Sequence, residues 1–125
     1  MHARADREYV VADHDTAAAV GSGSLPVLGT PRLVAWCEAV TCAALDPLLD
    51  AGRTSVGVHV SLDHVVASPV GGRISITADG SSADGRRWVF AVTARDSGQV
   101  ERTLATGEVR RVVVDADRFL ARAHD

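Results

Sequence analysis

Residues 54–66 alternate. Val56, Val58, Val60 and Leu62 fall on one phase, and Ser55, His59, Ser61 and Asp63 on the other. That period of two marks a strand with one buried face. Residues 73–78 alternate again with Ile74 and Ile76 inward, and residues 87–95 put Trp88, Phe90, Val92 and Ala94 on one side. A longer strand spans residues 100–114, where the apolar phase is even at Val100 and Leu104 and odd at Val109 and Val113. An inserted residue near Gly107 would switch that phase. Turn chemistry separates the strands: Pro69 with Gly71-Gly72, then Asp84-Gly85, then Ser97-Gly98. A short strand over residues 8–12 precedes them all, followed by small residues and a Gly21-Ser22-Gly23-Ser24 loop.

One segment follows the helical period instead. Leu33, Cys37, Val40, Ala44 and Leu48 form a stripe that Val34, Thr41 and Leu45 widen. Thr30 suits the N-cap and Pro31 the first helical position. Arg32 and Glu38 are the only charges in residues 31–45, so the helix is apolar on most of its circumference and is expected to be enclosed. Asp46-Pro47 weakens the pattern and Ala51-Gly52 ends it. Asp115 can cap a short last helix through Arg118, Phe119 and Leu120. The order is one strand, one long helix and four antiparallel strands. A single sheet encloses a helix only by curling around it, which is the α+β hotdog architecture: a curved antiparallel β-sheet wrapped around a long central helix. One copy alone leaves sheet edges exposed, so a homodimer paired edge to edge is expected.

Composition narrows the setting. The 125 residues suit a single domain over residues 1–125, and 46% hydrophobic with 23% charged residues is an ordinary globular balance. A formal net charge of −3 argues against a nucleic-acid surface. No apolar run approaches the roughly 18 residues of a membrane span, and the first residues hold no apolar signal core. Cys37 and Cys42 are five apart on the helix and project about 140° from each other, poorly placed for a disulfide. A reducing, cytoplasmic location is the expectation. No CxxC or HExxH spacing is present, so neither a metal nor another cofactor is expected.

Three side chains stand out because each is chemically capable in an apolar setting. Glu38 falls within the wider helical stripe, where it either reaches solvent at the stripe's edge or orients a water or an imidazole, or acts as base. His64 continues the apolar phase of its strand and lies just before Ser68-Pro69. It is either a satisfied core histidine or a proton-transfer group facing a cleft. Thr30 is either a plain cap or a hydroxyl at a helix start, where developing negative charge is stabilised. His59 takes the opposite phase and faces solvent or an interface. Arg86-Arg87 and Arg110-Arg111 read as solvated strand ends, with the phosphates of a nucleotide-bearing substrate as the alternative.

These residues and their spacing resemble the fluoroacetyl-CoA thioesterase family of hotdog proteins, over about residues 25–119. Leu28-Gly29-Thr30 with Glu38 eight residues later is similar to the family's threonine and glutamate on the central helix. Ser55-Val56-Gly57 leading to Asp63-His64 resembles its glycine-then-histidine strand, Ser68-Pro69-Val70-Gly71 its Thr-Pro-x-Gly turn, and Asp84-Gly85-Arg86-Arg87 its acidic-Gly-Arg-Arg hairpin. Thr106-Gly107-Glu108 through Arg111-Val112-Val113 is similar to its closing strand. The resemblance implies hydrolysis of an acyl-CoA thioester by Thr30, Glu38 and His64 at a dimer interface, with the Gly57 backbone N–H meeting the thioester carbonyl. The alternative is a non-catalytic hotdog protein that binds acyl-CoA or another small ligand. Three departures accompany it: residues 17–29 hold no aromatic side chain where the fluoroacetate-detoxifying member has an aromatic-rich lid, Asp63 stands beside the histidine, and Pro31 directly follows the threonine.

Overall fold

The computed structural model describes residues 1–98 and 102–124. Its order is β1 (His2–Val10), α1 (Ala17–Val20), α2 (Thr30–Leu45), β2 (Arg53–His64), β3 (Arg73–Ser81), β4 (Arg87–Asp96), β5 (Arg102–Asp115) and α3 (Ala116–Ala123). The five strands form one antiparallel sheet in the order β1-β3-β4-β5-β2, with α2 packed on its inner face. The α+β hotdog reading is thus met, with β1 and β2 at the two sheet edges.

The core follows the predicted phases in β3 and β4. Ile74, Ile76, Trp88, Phe90, Val92 and Ala94 are buried and pack against Leu33, Cys37, Val40, Ala44 and Leu45 of α2. Trp88 and Phe90 stack with centroids 5.9 Å apart, and the Phe90 ring fills the space that a Cβ at Gly80 would need. On α2 the exposure of Ala35 and Ala39 shows that the sheet covers one face only, short of the full enclosure expected.

Several boundaries and phases differ from expectation. β1 runs from His2 rather than from residue 8, because Ala3 and Ala5 face inward with side chains too small to register as an apolar alternation. α2 ends at Leu45 and passes into a single 3-10 turn over Asp46–Leu48, leaving Leu48 exposed. Pro47 cannot supply the N–H that would continue the helix. In β2 the register slips between Gly57 and His59, so Val58 has no partner on β5 and is 58% exposed. Before that slip Ser55 faces inward; after it Val60, Leu62 and His64 do. The bulge expected near Gly107 lies at Leu104, where the β4 pairing passes from Ala105 to Thr103 and both Leu104 and Ala105 are buried. Gly107 serves close approach instead, since a Cβ there would collide with the Ser61 carbonyl oxygen. Val100, assigned inward from the sequence, lies outside the described residues.

Candidate active site

Two local arrangements hold the polar residues singled out by the sequence. The first forms where the start of α2 meets the end of β2. Gly29, not Thr30, occupies the N-cap position, and no side chain caps the helix. Thr30 is the first helical residue, so the capping role expected of it is not used. Its hydroxyl Oγ1 lies 2.7 Å from Nδ1 of His64. The loop before α2 is tied down to allow this. Leu28 N–H donates to the Ser68 carbonyl at 2.8 Å, and Gly29 N–H donates to the Asp15 carbonyl at 3.0 Å. The buried Asp15 carboxylate accepts from Ala12 N–H at 2.9 Å and pairs with the Arg32 Nε at 3.2 Å. A charge on the first turn of α2 is thereby locked to the preceding segment.

His64 is half-buried. Burial lowers its pKa from the ordinary histidine value, opposed in part by the Val66 backbone carbonyl. The neutral imidazole is favoured because the desolvated cation loses its hydration. Its second ring nitrogen, Nε2, is buried and has no hydrogen-bond partner among the described residues. A cleft of about 290 Å3 opens beside the pair, lined by Val27, Leu28, Val65 and Val66 together with Thr30 and His64. A hydroxyl, a neutral imidazole and apolar walls therefore converge on one small volume.

The second arrangement lies further along α2. Eight residues of helix put Glu38 roughly 12 Å from Thr30 along the axis. Glu38 is not brought to Thr30 and His64 within the chain; it meets β2 and β5. Its Oε2 stands 3.7 Å from Nη1 of Arg111 and would be 2.7 Å from a Cβ at Gly57. Arg111 is only 6% exposed, and its Nε donates to Ser55 Oγ at 2.9 Å while Nη2 donates to the Ser55 carbonyl at 3.1 Å. The reading of Arg111 as a solvated strand end is overturned: it is the buried counter-charge of Glu38. Its phase, shared with Val109 and Val113, was the available signal. Gly57 gives the carboxylate room to lie against the strand. Gly57 and His64 are seven residues apart on β2, at most roughly 23 Å at the usual strand rise, so along the strand as along the helix the two arrangements stay apart.

Other chemistry is limited. Burial pushes the Cys37 thiol up to about 12, with the Glu38 carboxylate adding to the shift, so this thiol stays protonated near neutral pH. Among the described residues no group of three or more His, Cys, Asp or Glu is arranged to hold a metal ion. No helix among them is long and apolar enough to cross a membrane.

Comparison with known proteins adds a family. The model of the fluoroacetyl-CoA-specific thioesterase family matches residues 11–117. The fluoroacetyl-CoA thioesterase of Streptantibioticus cattleyicolor is 29% identical over 96 residues, spanning 77% of this chain and 67% of that protein. The solved structure of the fluoroacetyl-CoA thioesterase FlK superposes with a TM-score of 0.87 at 27% identity, over 97% of this chain and 92% of the other. A thioesterase superfamily member from Thermus thermophilus gives 0.86 at 22% identity, over 97% and 88%, a likeness of fold.

Proposed function

The chain belongs to the fluoroacetyl-CoA-specific thioesterase family, and on that premise we propose that it hydrolyses an acyl-CoA thioester at a site shared by two subunits, using Thr30, His64 and Glu38. The observation that carries this reading is the 2.7 Å contact between Thr30 Oγ1 and His64 Nδ1, two residues that line one cleft with Val27, Leu28 and Val66. Neutral His64 takes a proton from water, the oxygen bonds to the thioester carbonyl carbon, and the C–S bond breaks as the thiolate leaves and is protonated. Thr30 fixes the imidazole, and Gly57 contributes its backbone N–H to the carbonyl oxygen. Glu38 orients the attacking water or the substrate and is itself held by Arg111.

A carboxylate on the wrong side of its own chain argues for the partner. Antiparallel pairing of two β2 edges about a two-fold near Val60 and Ser61 would set Gly57 of the partner subunit opposite His64. The partner's Glu38 then comes to Thr30 and His64, and each half-site completes the other. The absence of aromatic residues between positions 17 and 29 favours an ordinary aliphatic acyl group over a fluorinated one. The test is thiol release from a panel of acyl-CoAs by His64→Ala and Glu38→Gln. Each is expected to lower kcat by about 10²–10⁴, the range for a general acid–base group, with unchanged circular dichroism. Wild-type rates in both variants would overturn the assignment.

A further inference from the structure

A second cleft, of about 210 Å3, lies at the opposite end of β2 from His64. Arg53, Arg86, Arg118 and Arg122 line it, with Phe119 and the Asp115 carboxylate. The chain has no lysine, and its other arginines are largely matched: Arg32 with Asp15, Arg73 with Glu8, Arg102 with Asp96, Arg110 with Glu108 and Arg111 with Glu38. The four arginines of the cleft form no ion pair or side-chain hydrogen bond within the described residues. Asp115, whose Oδ1 accepts the Arg118 backbone N–H at 3.0 Å as the cap of α3, is the single carboxylate residue among the described residues lining the cleft and cannot balance the four. Four exposed guanidiniums around one concavity give a locally positive surface on a chain of net charge −3, the electrostatic complement of an anion. Guanidinium forks match phosphate oxygens in pairs, which a lone carboxylate would not need four times over. Phe119, 43% exposed on the same helix, offers a flat apolar face beside them. Several guanidiniums next to an aromatic platform suit a phosphorylated nucleoside, the cations meeting phosphates and the ring the base.

We propose that this cleft binds the phosphorylated adenosine end of the acyl-CoA thioester, with Arg53, Arg86, Arg118 and Arg122 on the phosphates and Phe119 on the base, and that it serves the catalytic pair of the neighbouring subunit. The proposal rests on the thioesterase reading above. Within one chain Arg53 and His64 are eleven residues apart on β2, roughly 36 Å. In the antiparallel pairing that sets the partner's Gly57 opposite His64, the partner's Arg53 falls only about four residues past His64, roughly 13 Å away. The thioester end of one substrate then lies against one subunit and its nucleotide against the other.

Calorimetry with adenosine 3′,5′-bisphosphate tests the cleft without any turnover. Wild-type protein is expected to bind it at low salt, and Arg118→Ala/Arg122→Ala to weaken binding at least about tenfold. Phe119→Ala should weaken the nucleoside bisphosphate while leaving inorganic pyrophosphate affinity unaltered. In hydrolysis, the ratio of kcat/KM for acyl-CoA to that for the matching acyl-pantetheine should fall about tenfold in the double arginine variant. Equal bisphosphate affinity in wild type and double variant, or an unchanged ratio, would overturn the proposal. So would an acyl-carrier-protein thioester that outcompetes acyl-CoA and loses that advantage in the same variant, which would assign the arginines to an acidic protein surface. Wild-type protein that binds the bisphosphate but hydrolyses no acyl-CoA would instead count against the roles of Thr30, Glu38 and His64 alone.

Discussion

His64 is held in surroundings that favour its uncharged form, and the form that accepts a proton is the one a base needs. The acid limb of kcat/KM is therefore expected to have its midpoint below the ordinary histidine value of about 6.5. The linked stability effect has the same direction: the unfolded chain binds this proton more readily than the folded one, because the folded pKa is depressed. That contribution is fully present above about pH 6.5 and is lost as pH falls toward the folded pKa. A pH–rate series on wild type checks the first point, and a limb centred above 7 would contradict it. Gly57 makes a second prediction. A methyl at this position would stand 2.7 Å from Glu38 Oε2, and the flexible carboxylate, not the strand, is the part that gives way. Gly57→Ala is expected to cost at least about tenfold in kcat while leaving the melting temperature within a few degrees of wild type. Thr30, Glu38 and His64 were legible as single residues from their apolar settings. Arg111 was not, because the adjacent Arg110 made the two look like one solvated basic pair, although only Arg110 faces outward.

Strand β2 illustrates what a pattern of valines conceals. Read with a uniform period of two, Val56, Val58, Val60 and Leu62 all point inward. The slip at Val58 keeps the second half of that reading and reverses the first, so Ser55 and Gly57 turn toward Glu38 and Arg111. A bulge adds one residue without leaving a compositional mark, whereas turns at Asp84-Gly85 and Gly71-Gly72 carry residues chosen for unusual backbone angles. Both Gly71 and Gly85 have positive φ, at 87° and 75°. That difference explains why the hairpins and the β3 and β4 phases were readable, why the β5 bulge was legible from its phase change but placed three residues away, and why the β2 bulge was missed. On β5, Gly107 gives the element-scale test. Its missing Cβ lets the strand approach the Ser61 carbonyl, a backbone atom fixed by the β2–β5 ladder. Gly107→Ala is expected to destabilise the protein by about 1–3 kcal/mol in urea unfolding, the range for overpacking a filled site. An effect below 0.5 kcal/mol would mean that the ladder yields easily.

For the molecule as a whole, the unpaired β2 edge decides what one copy can do. With β2 exposed and the two arrangements at separate points along it, a monomer carries Thr30 and His64 in one place and Glu38 in another. A sedimenting species of about twice 13.1 kDa is expected. Val58→Glu puts two like charges near the two-fold axis, so it should shift the protein toward the monomer and abolish turnover together; a fully active monomer would contradict the shared site. The separation of the half-sites also has a genetic face. Glu38→Gln and His64→Ala are each expected to be inactive alone, yet a mixed dimer of the two concentrates both lesions in one site and leaves the other intact. Random reassortment makes half of the dimers mixed, so denaturing the two variants together and refolding them should recover about a quarter of wild-type activity. Two alleles that each fail when alone would then complement one another in the same cell, a behaviour that follows from nothing more than which end of one strand each side chain occupies.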